Sequence, residues 1–188
     1  MVDTITNSLL EHNLLFNQLT ALVPDIEQAV QLIVDTLLAG CKVLVCGNGG
    51  SAADAQHFAA EFVGKFELDK RRGWPVIALN GNSSSLTAIG NDYGQASVFS
   101  RQVLAYGSAG DILVAITTGG QSRNVLIAID QAMVMGMRVI ALYGEKGLAQ
   151  GRKVYCPIQV PHARTARIQD AHEFILHCIA ECAELKLQ

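Results

Sequence analysis

Charge is scarce in this chain: only 16% of its 188 residues are Asp, Glu, Lys or Arg, and the formal net charge is -3. No stripe of Lys or Arg runs through it, and without such a stripe phosphate-backbone binding has nothing to rest on, so nucleic acid is not expected as a direct ligand. Long hydrophobic runs are missing as well. The longest, such as Ile112–Ile116, have the length of a strand and fall far short of a bilayer span, so no membrane association is expected. Residues Met1–Leu10 include Asp3 and lack a basic start followed by an apolar stretch, so the chain reads as cytoplasmic and carries no recognisable export signal. Its cysteines, Cys41, Cys46, Cys156, Cys178 and Cys182, form no C-x-x-C pair, which removes zinc ribbons and thioredoxin-like motifs. Cys178 and Cys182 stand one helical turn apart, where small apolar packing is a simpler role than a shared metal. All five are expected to be reduced. Repeats, linkers and low-complexity tracts are absent, and the one charge cluster, Asp69-Lys70-Arg71-Arg72, reads as a solvated loop.

What the chain does have is apolar material, 50% of the total, enough for a sizeable core and a subunit interface. Leu9, Leu10, Leu14, Leu15 and Leu19, then Ile26, Val30, Ile33 and Leu37, recur at helical spacing. Pro24 and Asp25 open the second of these helices and Gly40 closes it. Continuous apolar runs at Lys42–Cys46, Pro75–Leu79, Asp111–Ile116 and Arg138–Leu142 read as strands buried on both faces, as in a parallel sheet. Helical patterns at Ala52–Phe66, Val98–Tyr106, Ser122–Met135 and from about Ala166 to Leu187 alternate with them. The expectation is an α/β fold, a three-layer α/β/α sandwich, as one domain over residues 1–188 with amino-terminal helices at about 3–39 and a core at about 40–188.

Ligand signals sit where strands end, the side on which open α/β sheets bind. Cys46-Gly47-Asn48-Gly49-Gly50-Ser51 follows a strand and opens a helix. Its glycines let backbone amides approach an oxyanion, and a helix amino terminus favours negative charge. It is neither a Walker loop nor a full G-x-G-x-x-G fingerprint, and a plain tight turn would also explain it. Thr117-Thr118-Gly119-Gly120-Gln121-Ser122 repeats the arrangement at another strand end, although Ser122 is equally an ordinary N-cap. Two such loops together point to a phosphorylated ligand. His57 and Glu61, at i and i+4, share one helix face, as a metal site or an acid–base pair requires, and Gln169 and His177 add further donors. Such pairs also arise by chance.

Longer blocks decide between these readings. Gly47-Asn48-Gly49-Gly50-Ser51-Ala52-Ala53-Asp54-Ala55-Gln56-His57, Gly90-Asn91-Asp92-Tyr93-Gly94, Phe99-Ser100-Arg101-Gln102-Val103 and Ala166-Arg167-Ile168-Gln169 resemble the sedoheptulose-7-phosphate isomerases of the sugar isomerase (SIS) domain superfamily, in register over nearly the whole chain. The resemblance implies a flavodoxin-like parallel sheet, a homotetramer with sites near subunit interfaces, and a step in heptose supply for bacterial lipopolysaccharide. It assigns a zinc site to His57, Glu61, Gln169 and His177, the base to Glu61 and the acid to His177. It also assigns phosphosugar contacts to Asn48, Gly49, Gly50, Ser51, Glu61, Asn91, Asp92, Thr117, Thr118, Gly119, Ser122 and Gln169. The implied chemistry is proton removal from C1 of the open-chain ketose, an enediol, and reprotonation at C2.

The chain departs from its relatives in places. Gly119 stands where the family's loop has a hydroxyl, and Lys65 ends the His-Glu helix where an arginine is usual. Glu173 falls between Gln169 and His177, where relatives tend to be apolar, and Gly144–Gly151 is shorter and poorer in glycine. Some SIS relatives are instead tetrameric platforms for the bacterial replication initiator, and they resemble this chain around Ala163–Gln169. They tend to lack the acid at Glu61 and the histidine at His177, so an enzyme is favoured over a platform or a silent phosphosugar sensor.

Overall fold

A computed structural model describes residues 2–188. Helices α1 (Val2–Gln18) and α2 (Val23–Leu38) come first, joined by a short 3-10 turn at Leu19–Leu22, and Gly40 ends the pair with a φ of 78°. Then follow β1 (Val43–Gly47), α3 (Gly50–Val63), β2 (Val76–Ala78), α4 (Ser83–Tyr93), α5 (Ser100–Tyr106), β3 (Ile112–Thr117), α6 (Arg123–Val134), β4 (Arg138–Gly144), β5 (Cys156–Val160) and α7 (Thr165–Lys186). The five strands pair in the order β2-β1-β3-β4-β5, all parallel. This is the flavodoxin-like order, and its direction of winding reverses between β1 and β3. That reversal leaves a crevice at the strands' carboxyl ends.

Alternation along the strands makes the three layers. Val43, Val45, Val114, Ile116 and Ile140 pack with Val30, Ile33, Phe58, Ile175 and Ile179 of α2, α3 and α7. Leu44, Cys46, Leu113, Ala115 and Val139 face the other way, against Val103, Val125, Leu126 and Ile129 of α5 and α6. Both sheet faces are therefore dry, which is why β1 and β3 read as unbroken apolar runs.

Two elements lie outside the sequence expectation. In β5, Cys156, Ile158 and Val160 are buried while Pro157 and Gln159 are exposed, a half-buried edge strand on which proline is tolerated. Helix α4 buries no residue, so it has no apolar face to announce it. The cluster at 69–72 also departs from a solvated loop. The side chain of Arg71 is buried, donating from Nε to Glu184 Oε1 at 2.5 Å and from Nη1 to the Phe62 carbonyl at 2.8 Å, while Arg72 stacks over Trp74 at 4.1 Å. The long-range partner Glu184, 113 residues away, is what draws Arg71 inward.

Candidate functional site

The crevice holds a cavity of about 310 Å³ lined by Asn48, Gly49, Gly50, Ser51, Thr117, Thr118, Ser122 and Gln169, with Ile116 as its floor and Thr165 on its rim. Helices α3, α6 and α7 all begin here, so three amino termini bring unpaired amides and partial positive charge to one space. Among the described residues, no cationic side chain lines it. Such a site holds an oxyanion through amides and hydroxyls alone. Thr165 is a cavity residue that sequence reasoning missed; its position opening α7 is the signal that was available.

Local geometry explains several residue choices. A Cβ on Gly50 would stand 1.9 Å from the Gln169 amide nitrogen, so glycine there lets α7 close against the loop. Gly120 has a φ of 66°, and a Cβ would fall 1.9 Å from the Gly147 carbonyl. Ser122 occupies the N-cap position of α6 but makes no capping bond with its side chain. Its hydroxyl instead accepts from the Thr117 hydroxyl at 3.2 Å, leaving it available to the cavity. Asn48 and Asn124 exchange amide hydrogen bonds of 2.8 and 2.9 Å, tying the first loop to α6. Asn124 was not singled out from the sequence. Gly119 is exposed, and a Cβ there would meet nothing within 4 Å.

A second polar cluster lies farther along the α3–α7 contact. His57 Nε2 is 2.8 Å from Glu61 Oε1, and the rings of His57 and His177 meet edge to face at 5.0 Å. One donor atom from each of His57, Glu61 and His177 lies within 4.8 Å of the others. Nitrogen, oxygen and nitrogen converging at this range fit a divalent ion of the zinc class, and the buried Asp54 Oδ2 nearby, which has no partner, adds negative charge behind them. Burial pushes the Asp54 carboxyl up to about 6, helped by the charge on Glu173 and opposed by His57. On α7, His172 is fully buried, and burial lowers it to about 4 against the opposing effect of the Tyr143 backbone.

The expected residues do not all meet. Gln169 lines the oxyanion cavity, roughly 12 Å of helix before His177. Asn91 and Asp92 stand exposed at the end of α4, the Asn91 amide donating to Asp92 at 2.8 Å, and neither lines the cavity. Lys65, in the usual arginine's place, pairs with Asp69 at 2.5 Å on the surface. Arg71 instead binds the carboxyl-terminal carbonyls of α3, including that of Glu61, and so anchors the helix end that carries Glu61.

Comparison with known proteins agrees with this architecture. The SIS domain family model matches residues 11–144. The phosphoheptose isomerase of Methylibium petroleiphilum is 50% identical over 165 residues, covering 86% of this chain and 82% of that protein. The structure of phosphoheptose isomerase from Neisseria gonorrhoeae superposes with a TM-score of 0.88 at 42% identity, covering 96% of this chain and 98% of that one. A phosphoheptose isomerase structure from Francisella tularensis gives a TM-score of 0.94 at 38% identity, with 98% of both chains covered. With this sheet order, this cavity and these relatives, the chain belongs to the phosphoheptose isomerase family of SIS-domain proteins.

Proposed function

We propose that the chain, acting as one SIS domain with a helical arm, is a cytoplasmic aldose–ketose isomerase interconverting sedoheptulose 7-phosphate and D-glycero-D-manno-heptose 7-phosphate, on the route to lipopolysaccharide heptose. The observation that carries this reading is Glu61 set beside His57 and His177 on the same α3–α7 contact that opens, at its other end, into the three-helix oxyanion cavity. Phosphate is held by Ser51, Thr117, Thr118, Ser122 and the loop amides of Gly49, Gly50 and Gly119. The open-chain sugar then extends along α3, whose ten steps from Ser51 to Glu61 span roughly 15 Å.

Glu61 takes the proton from C1 of the ketose, and its return to C2 of the enediol completes the transfer. His177 moves protons at the sugar oxygens. His57, Glu61 and His177 would hold a zinc ion, which would supply Lewis acidity to the reaction. Gln169 would complete the donor set by swinging its amide away from Gly50. Assembly into a homotetramer would bring Asn91 and Asp92 to the sugar. The uncovered apolar face of α1, where Ile5, Leu9, Leu10 and Leu14 are each more than half exposed, supports such assembly.

The test is solvent exchange at C1. Wild type incubated with sedoheptulose 7-phosphate in deuterium oxide is expected to incorporate deuterium and form the aldose, and folded His57→Ala and His177→Ala proteins are expected to lose zinc. Wild type that carries zinc yet neither exchanges nor isomerises would overturn the isomerase reading in favour of a platform or sensor.

A further inference from the structure

Helix α7 begins poorly by local rules. Its N-cap is Arg164, which makes no capping bond with its side chain, and its first turn holds no acidic residue. Arg164 and Arg167 instead place two cations at the positive end of the helix dipole, where they are unfavourable. The Arg164 amide donates to His162 Nδ1 at 3.0 Å, and the first helical bond runs from the Ile168 amide to the Arg164 carbonyl. The amides of Thr165, Ala166 and Arg167 therefore have no partner within the helix. Thr165 and Gln169, one turn apart on one face, line the oxyanion cavity.

Helix α1 holds the other side of this turn. Glu11 pairs with Arg164. The Arg167 side chain, only 14% exposed, donates from Nη1 to the Ser8 carbonyl at 2.9 Å, and its Nη2 lies 3.1 Å from Asp170 Oδ2. The same Asp170 oxygen is 3.4 Å from His12 Nδ1, and the His12 ring stacks on Phe16, which in turn meets Phe174 at 5.2 Å. Leu15 is the only buried residue of α1, so these contacts are much of what docks it. On the cavity side there is no slack, because a Cβ on Gly50 would already stand 1.9 Å from the Gln169 amide nitrogen. A small shift of α7 toward α3 is blocked, and a shift the other way opens the cavity.

We propose that Arg167 is a positioning residue for the phosphosugar: with Ser8 and Glu11 of α1 it straps the first turn of α7 in place, so that the Thr165 hydroxyl and the unpaired amides reach an anion in the cavity. The proposal rests on reading that cavity as the phosphate site. A bound anion supplies the negative charge and the cap that α7 lacks, while α1 steadies the same turn from behind. Two contacts that order one turn are coupled, and the coupling is reciprocal: the strap tightens anion binding, and the anion tightens the strap.

The experiment uses the full chain with inorganic phosphate as the probe. Calorimetry is expected to show phosphate binding weakened roughly five-fold or more in Arg167→Ala. Arg167→Lys, a cation that can still donate to the Ser8 carbonyl, should recover part of the loss, and Glu11→Gln should shift affinity the same way by less. Hydrogen exchange gives the readout that a merely structural arginine would not move. Saturating phosphate should slow exchange of the α1 amides from Ser8 to Phe16 in wild type and leave them unchanged in Arg167→Ala. Unchanged phosphate affinity in folded Arg167→Ala overturns the proposal, and so does α1 exchange in wild type that ignores phosphate. If Arg167→Ala does not fold, Arg167→Lys and Glu11→Gln decide by the same two measurements. Wild type that binds no phosphate defeats the cavity reading instead, and the strap then stands or falls on whether Arg167→Ala speeds exchange of the Thr165, Ala166 and Arg167-position amides.

Discussion

Two carboxylates are buried where α3 approaches α7, and they are treated in opposite ways. Glu184 accepts from the amides of Phe66, Glu67 and Leu68 at 2.8–2.9 Å and from Arg71. Burial alone would raise it, yet Arg71 and the three amides bring it down to about 2. Asp54, equally hidden, has an unpaired Oδ2 and is raised to about 6. A fully satisfied buried charge holds a fold together. One left short of partners beside two imidazoles and Glu61 is a group that an ion or a proton can complete.

The same substitution at the two ends should separate these roles. Glu61→Gln keeps shape but cannot accept a proton, so deuterium exchange at C1 should fall by about 10²–10⁴-fold while thermal stability stays close to wild type. Zinc content must be measured alongside, since Glu61 is also a donor. Glu184→Gln removes one partner of a buried pair and should lower unfolding free energy by about 3 kcal/mol, with the exchange rate of the still-folded protein little changed. Exchange lost in Glu184→Gln at full stability would erase the distinction.

Legibility from sequence follows the same line. Strands β1 and β3 could be read because both faces are dry and all but the closing Thr117 lack a polar side chain, and the loops after them because glycine and hydroxyls collect at strand ends. Strand β5 hid behind Pro157 and Gln159, and α4 behind its lack of any buried residue. Arg71 looked like one more surface charge because Glu184 lies 113 residues away. Glu173 was visibly odd, but its partner His57 is on another helix. Periodicity reports burial along one element, and pairings between elements leave no such trace.

Acid should expose the buried groups next. His172 has its folded value lowered to about 4 from an ordinary 6.5, so the unfolded chain takes up its proton first and stability falls as pH drops through that window, by about 3 kcal/mol in all. Asp54 works against this. Its folded value near 6 lies above its ordinary 3.8, so its protonation favours the fold as pH drops from 6 toward 4, though solvent reaching the carboxyl reduces the size. Glu184, with a value near 2, contributes stability that is lost only below about 4.5. Metal-free wild type should therefore lose little stability between pH 6.5 and 4.5 and much more below. Asp54→Asn removes the opposing contribution, so its denaturant midpoint should decline steadily from pH 6.5, and a profile parallel to wild type would refute the compensation.

The oxyanion cavity should respond more mildly than either buried carboxylate. Ser122 makes no capping bond, so Ser122→Ala should leave stability within about 0.5 kcal/mol of wild type. Paired with Ser51→Ala, it removes two hydroxyls from the cavity and should weaken inorganic phosphate binding by about five-fold or more, at about 0.5–1.5 kcal/mol each. Unchanged phosphate affinity in the folded double variant would move the anion elsewhere.

The smallest effect should come from adding a group. Gly119 has the family's hydroxyl position without the hydroxyl, and neither backbone nor space demands glycine there: its φ is not positive, and a Cβ would find nothing within 4 Å. Gly120 next to it is the opposite case, with a φ of 66° and the Gly147 carbonyl in the way. Gly119→Ser should therefore fold normally and, by reducing the unfolded chain's freedom, gain up to about 1 kcal/mol of stability. A new hydroxyl at the mouth of a cavity with no cationic side chain among the described residues adds one donor to bound phosphate, worth about 0.5–1.5 kcal/mol, or roughly two- to ten-fold in affinity. Calorimetric titration of phosphate into both proteins measures it. Tighter binding would mean that amides and the remaining hydroxyls leave an oxygen of the anion unsatisfied in this chain. Equal binding would mean that three converging helix termini already saturate it, and that the loop lost its serine without consequence.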